Sequence, residues 1–354
     1  MYVALLATTL LVGCLLAVQT SVNLQLSGAV KTPYGASTLQ LAVAAVALAI
    51  VALAVGTIGV VSLVPDVTWW HLLGGLASPL YITSGILLFP RLGALAAVGL
   101  FVTGQVLASL GLDLFGLIGV PRKSLTIGIV LGVVAVLIGI TLIIRQRKPA
   151  AAPATPADKP DSAKESAKES GEKSEEDADR SASTRGGKSL GAMAQPAAAA
   201  TSVSGMAWIA LGIIAGAVLP IQGAVNGKLK LDIDAPFTVG MISFIVATLS
   251  IAIVTAVLVA TKRTPTPQVK PLATMPWWGW LGGLCAASYV VVTFLMIPEI
   301  GAATTIALTV TGQQLFSAVI DHFGLFRMPK RALTGRRVAG LALLLLGSVL
   351  VQLT

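Results

Sequence analysis

The chain has 354 residues, of which 55% are hydrophobic and only 11% charged, with a mean hydropathy of +0.88. A soluble protein of this length could not cover so much apolar surface with so few charges, so the composition excludes a soluble globular protein and marks an integral membrane protein. The formal net charge of +9 is not a nucleic-acid signature: residues 148–203 hold 8 Lys/Arg against 9 Asp/Glu, and the other 16 Lys/Arg sit almost all at the ends of apolar runs.

A spanning helix needs about 20 apolar residues. In chain order the segments 3–25, 38–62, 70–89, 92–112 and 125–144 qualify, followed by 206–226, 237–260, 278–297, 301–320 and 335–353. The first run begins almost at Met1 without a basic segment before it, so it reads as a retained span and not as a cleaved signal peptide. Between the fifth and sixth runs, residues 148–203 are rich in Ala, Pro, Ser, Lys and Glu and hold almost no large apolar residue. Such a segment cannot bury enough surface to fold, and it reads as a disordered tether. Within it, Gly186-Gly187-Lys188-Ser189 lacks the earlier glycine and the flanking strand of a phosphate-binding loop, and it carries no function. The expected organisation is a first five-span repeat at 1–147, the linker at 148–203 and a second five-span repeat at 204–354.

The repeat itself is visible residue by residue. Trp69-Trp70, Gly74-Gly75, Tyr81, Pro90, Gly93, Thr103-Gly104-Gln105, Asp113, Phe115-Gly116, Pro121 and Thr126 all return 208 positions later, from Trp277-Trp278 to Thr334. Upstream, Gln19 and Asn23 return as Gln222 and Asn226 at an offset of 203. Because each unit has an odd number of spans, the second copy enters the membrane inverted, the usual architecture of a secondary transporter.

The cations agree. With the linker on one side, twelve Lys/Arg outside it share that side, among them Lys31, Arg91, Lys262, Arg331 and Arg337, while Arg122, Lys123, Lys228 and Lys230 lie on the other. The positive-inside rule then makes the linker cytoplasmic and puts both termini outside. The turn Pro90-Arg91-Leu92-Gly93 and its copy Pro298-Glu299-Ile300-Gly301 carry opposite charges, as equivalent turns on opposite faces would.

Polar groups inside spans are expensive and face the protein interior. Gln19 and Asn23 share one helical face, as do Gln222 and Asn226, with Pro220 just before them. Lining of a translocation path competes with interhelical hydrogen bonding, and for the asparagines, placed near helix ends, the second reading is preferred. Gln105 and Gln313 sit centrally in the fourth and ninth spans, where Gly104 and Gly312 allow close helix approach; central depth favours substrate contact. Asp113 and Asp321 end the same spans and are candidates for proton coupling, although a solvated helix cap is the commoner role of such a carboxylate. Trp69-Trp70 and Trp277-Trp278 are aromatic-belt anchors, and Tyr81 and Tyr289 are weaker candidates for the path. Cys14 and Cys285 read as small apolar residues, and His71 and His322 make a poor metal site, so neither a metal nor a cofactor is expected.

These residues together resemble the YdcZ-like branch of the drug/metabolite transporter superfamily. The resemblance rests on Gln-x-x-x-Asn in the first span of each unit, Trp-Trp before Leu-Gly-Gly, Thr-Gly-Gln and Asp-x-Phe-Gly-Leu, and it covers both halves but not the linker. It implies a bacterial inner-membrane carrier of small molecules in which two units, separate in single-unit relatives, are fused. The small multidrug-resistance relatives carry a glutamate in the first span that exchanges protons for cationic drugs. Here the first and sixth spans hold no acid, which puts that chemistry in doubt.

The sequence thus describes an all-α membrane protein of ten spans in two inverted repeats, working in the lipid bilayer as a fused monomer or a homodimer and binding no nucleic acid. It reads as a secondary carrier moving a drug or metabolite by alternating access, with Gln19, Asn23, Gln105, Gln222, Asn226 and Gln313 against the substrate. The competing reading is a non-transporting accessory protein that recruits a partner through its linker. No nucleophile–base pair or phosphate-cradling loop points to an enzyme.

Overall fold

The computed structural model describes residues 2–120, 122, 124–145, 202–300 and 302–353. These form ten α-helices: α1 (Tyr2–Val30), α2 (Pro33–Ala54), α3 (Ala77–Leu92), α4 (Ala94–Phe115), α5 (Ile127–Ile144), α6 (Ser202–Ile233), α7 (Pro236–Ala260), α8 (Leu281–Ile300), α9 (Ala302–Phe323) and α10 (Gly335–Leu353). Short 3-10 segments at Trp69–Leu76 and Trp277–Trp280 lead into α3 and α8. There is no strand among the described residues. Seven helical stretches, from Tyr2–Val30 to Pro236–Ala260, meet the length and hydropathy of a membrane span among the described residues. The remaining helices α8, α9 and α10 are the inverted counterparts of α3, α4 and α5. The predicted 148–203 linker lies, apart from the first residues of α6, outside the described residues.

Helix ends follow the repeat. Pro33 and Pro236 occupy the first turn of α2 and α7, where a missing N–H costs nothing. Just before them, Lys31 (φ 65°) and Asp234 (φ 37°) are equivalent left-handed residues with opposite charges, a second reversal of the kind seen at Arg91 and Glu299. Gly116 and Gly324, in the left-handed region at φ 62° and 67°, close α4 and α9, because a residue without a Cβ adopts that cap at least cost.

Several boundaries differ from the sequence expectation. The span expected over 38–62 stops as a helix at Ala54, where the chain turns at Gly56 (φ 73°) into a 3-10 segment, Ile58–Asp66. In contrast α1 and α6 run on to Val30 and Ile233, since nothing breaks them before the prolines of α2 and α7.

Residues Met1–Gln146 and Ser202–Thr354 form one compact unit in which the repeats interlock. Helix α1 packs on α8 and α9 more extensively than on its own neighbours, and α6 packs likewise on α3 and α4. The pairs α2–α7 and α5–α10 lie across the pseudo-twofold axis. In the last pair Gly132 packs on the backbone of Gly347, and Gly139 on that of Gly340, so the two backbones touch. Helix association inside a bilayer depends on such close packing, because lipid is as apolar as the side chains. The expected glycines of α4 and α9 do the same: Gly104 meets the carbonyl of Ile213 in α6, and Gly312 that of Leu10 in α1. Apolar residues such as Ile127, Leu131, Ile138, Leu249 and Ile253 stay exposed, as lipid-facing surface does, and Trp69 and Trp277 are exposed to about the same extent at equivalent ends of the bundle.

Candidate functional site

A cavity of about 100 Å³ lies where α1, α3, α6 and α8 meet. Its wall is nearly symmetric: Leu16, Gln19, Tyr81 and Ile82 face Leu219, Gln222, Tyr289 and Val290, each pair related by the repeat offset. Because α1 and α6 extend beyond their expected ends, Gln19 and Gln222 each lie eleven residues before the end of the helix, or about 16 Å at 1.5 Å per residue. They therefore lie well inside their helices. Asn23 and Asn226 are likewise well inside their helices and not at helix ends.

The asparagines hold the helices together. Asn23 Nδ2 donates to Gln40 Oε1, and Asn226 Nδ2 donates to Ser243 Oγ at 3.1 Å; Gln40 and Ser243 are themselves equivalent. The carbonyl oxygen of each asparagine lies against a glycine of the other repeat, Asn23 against Gly282 and Asn226 against Gly74, where a Cβ would collide with it. Asn226 also borders the cavity.

The two glutamines of the cavity are bonded differently. Gln222 Nε2 donates to Ser78 Oγ at 2.8 Å, and Ser78 Oγ lies 3.1 Å from Gln222 Oε1. Gln19 is 2% exposed and makes no side-chain hydrogen bond among the described residues, with Oε1 fully buried. An unsatisfied buried amide of this kind costs about 1–3 kcal/mol.

A second asymmetry concerns the central glutamines of α4 and α9. Gln313 Nε2 donates to Tyr81 Oη at 2.6 Å, closing one side of the cavity. The equivalent Gln105 and Tyr289 make no such bond; both border a second cavity of about 270 Å³ that shares Leu219, Gly223, Tyr289 and Thr293 with the first and extends along α4 past Ser109 to Asp113 and Val120. On the closed side the positions equivalent to Ser109, Leu112 and Asp113 are Ser317, Ile320 and Asp321, all at 0% exposure.

Asp321 is held firmly. Arg337 Nη2 lies 2.5 Å from its Oδ2, and the backbone N–H groups of Ala94 and Leu95, at the start of α4, donate to its two oxygens at 2.7 and 3.3 Å. The N-terminus of α4 and the guanidinium of Arg337 thus both offer positive charge to this carboxylate. Gly93 (φ 83°) turns between α3 and α4 directly against Asp321 and Arg331, and Arg331 Nη1 donates to the carbonyl of Leu92 at 3.0 Å. The residue equivalent to Arg337 is Ile129, so Asp113, half-buried, has a different setting. Elsewhere, His71 Nδ1 and Asp232 Oδ2 lie 2.5 Å apart and join the Trp69–Leu76 segment to the end of α6. Among the described residues no cluster of three or more His, Cys, Asp or Glu could hold a metal ion.

Of the residues singled out from the sequence, Gln19, Gln222 and Asn226 come together at the central cavity. Gln105 and Asp113 line the adjoining one, and Asn23, Gln313 and Asp321 border neither cavity. Ser78 and Thr293 also line the cavity and escaped notice because their counterparts, Ala286 and Gly85, are not polar; a search for shared polar positions passes over them.

Two stretches of the chain, residues 4–142 and 207–350, match the protein family described as "Putative inner membrane exporter, YdcZ". The inner membrane protein YdcZ of Escherichia coli (strain K12) is 31% identical over 91 residues, which are 26% of this chain and 60% of that protein. The aligned region thus spans less than two thirds of that relative. No solved structure matches the chain significantly. With the family matched once in each repeat across most of its length, the chain belongs to the YdcZ branch of the drug/metabolite transporter superfamily.

Proposed function

We propose that the chain is a secondary transporter that moves a small molecule across the bacterial cytoplasmic membrane by alternating access. Its site is the cavity between Gln19, Gln222, Tyr81 and Tyr289. One observation carries this reading: the Gln313–Tyr81 bond is made while its counterpart, Gln105–Tyr289, is open onto the second cavity. In an inverted repeat, exchanging the conformations of the two units produces the opposite-facing state. Forming Gln105–Tyr289 and breaking Gln313–Tyr81 would close the open path and open the closed one. The cation distribution supports a cytoplasmic linker and external termini, with the Asp113 side of the cavity facing outward. In this scheme Asp113, which borders the open path, couples protons, and Asp321 is structural.

The experiment is a substrate screen on reconstituted vesicles with and without a pH gradient, followed by Gln105→Ala combined with Gln313→Ala. The double variant should lose the transport found for the parent chain at unchanged membrane abundance. Transport at the parent rate would sink the assignment of these residues.

A further inference from the structure

The two sides of the central cavity are made of equivalent residues, yet their glutamines differ: Gln222 has a side-chain partner and Gln19 Oε1 has none. Gln222 is bonded to Ser78; 208 positions after Ser78 the chain has Ala286, which borders the same cavity. Gln19, the counterpart of Gln222, is thereby left without the hydroxyl that would complete it, and Oε1 has no partner. Which end of the amide carries the oxygen does not alter the point, since a primary amide both donates and accepts along one edge. Rotation about the broad terminal torsion of the Gln19 side chain turns this edge toward the cavity, where water can meet it. A ligand displacing that water keeps its affinity only if it donates and accepts there as well.

The remaining wall restricts the ligand further. Among the described residues no Lys, Arg, His, Asp or Glu borders the cavity, so a charged ligand would shed its hydration without meeting a counter-charge. The nearest carboxylate among the lining residues of the adjoining cavity, Asp113, is eight residues along α4 from Gln105, or about 12 Å. Tyr81 and Tyr289, with Phe244, offer apolar ring surface opposite the amides.

The geometry points to a small uncharged ligand of about one ring, carrying a donor and an acceptor side by side as a carboxamide or lactam does, with that edge on Gln19 and its flat body against Tyr81 and Tyr289. Gln222 already pairs one N–H and its oxygen with Ser78, which leaves Gln19 as the glutamine that sets specificity. That this ligand is the transported substrate rests on the carrier reading above; its binding is measurable without transport.

Benzamide, benzoate and benzamidinium share one shape and differ in charge, and they serve as probes. Each is titrated against the full-length protein in detergent, following the rise in melting temperature and the heat of binding. Benzamide should bind, and both ions should bind at least about tenfold more weakly. Ala286→Ser gives Gln19 the hydroxyl that Gln222 already has; it should raise the melting temperature without a probe and weaken benzamide about tenfold. Gln19→Leu should remove benzamide binding. Equal binding of either ion, parent-like benzamide affinity in Ala286→Ser, or no binding of any probe overturns the proposal. Benzamide that binds selectively but crosses vesicles holding the protein no faster than protein-free ones supports the ligand chemistry and overturns carriage instead.

Discussion

Gln313 Nε2 lies 2.6 Å from the hydroxyl of Tyr81 and ties α9 of the second repeat to α3 of the first on one side of the central cavity. A buried hydrogen bond contributes about 0.5–1.5 kcal/mol, so removing it shifts a two-state equilibrium roughly two- to tenfold. Tyr81→Phe should therefore increase the population open at Ser317 at the expense of the one open at Ser109. Cysteines placed at 109 and 317, in a background without Cys14 and Cys285, report this through labelling rates in membranes. Labelling that ignores Tyr81→Phe at both positions would show that the bond is not a gate.

Asp321 and Arg337 form a pair in which the carboxylate is fully buried and the guanidinium nearly so. Breaking a buried pair by removing one partner costs about 3–5 kcal/mol, whereas replacing both by apolar groups of similar volume recovers much of that loss. Arg337→Met alone should lower abundance and melting temperature sharply, and Asp321→Leu with Arg337→Met should restore much of both. Additive losses in the double variant would refute the pairing argument.

Asp113 is expected to behave differently from its counterpart. Asp113→Asn should leave the protein in the membrane but remove the response of transport to a pH gradient. If Asp113→Asn retains that response, the proton passes elsewhere.

The contact between Gly74 and Asn226 lends itself to a double-mutant cycle. Gly74→Ala pushes a methyl group into the asparagine carbonyl, an overpacking that costs about 1–3 kcal/mol. Asn226→Ala in the same chain should relieve it, and the melting temperatures of the four variants give the coupling energy. Gly282→Ala with Asn23→Ala should repeat the result in the other repeat.

Deleting residues 155–200 separates carriage from recruitment. A transporter built from the two repeats should keep its activity, measured in vesicles, with the shortened linker. Loss of activity at normal abundance would favour the accessory reading.

Much of this architecture was legible in the chain because the repeat offset and the length of apolar runs survive any detail of packing. Gln19 and Gln222 were found because an amide in an apolar span is conspicuous. The course of α1 and α6 was not, since a hydropathy window ends at Asn23 or Asn226 although nothing stops the helix until Pro33 or Pro236. Nor was the fate of Asp321 visible: its partner Arg337 lies sixteen residues on, across a loop, at a position where the first repeat has isoleucine. The features that distinguish Gln19 from Gln222 lie in Ser78 and Ala286, which matter only once α3 and α8 are seen to face the same cavity.

The interlocking of α1 with α8 and α9 also governs how the protein comes to exist. On a ribosome adding about 5–20 residues per second, α9 follows α5 by roughly 10–40 s. Throughout that interval α1 lacks its contacts with α8 and α9, that of Asn23 with Gly282 among them. The first repeat thus remains without these contacts until the second arrives. Damage to α8 or α9 should therefore be seen as loss of the entire chain, α1 included.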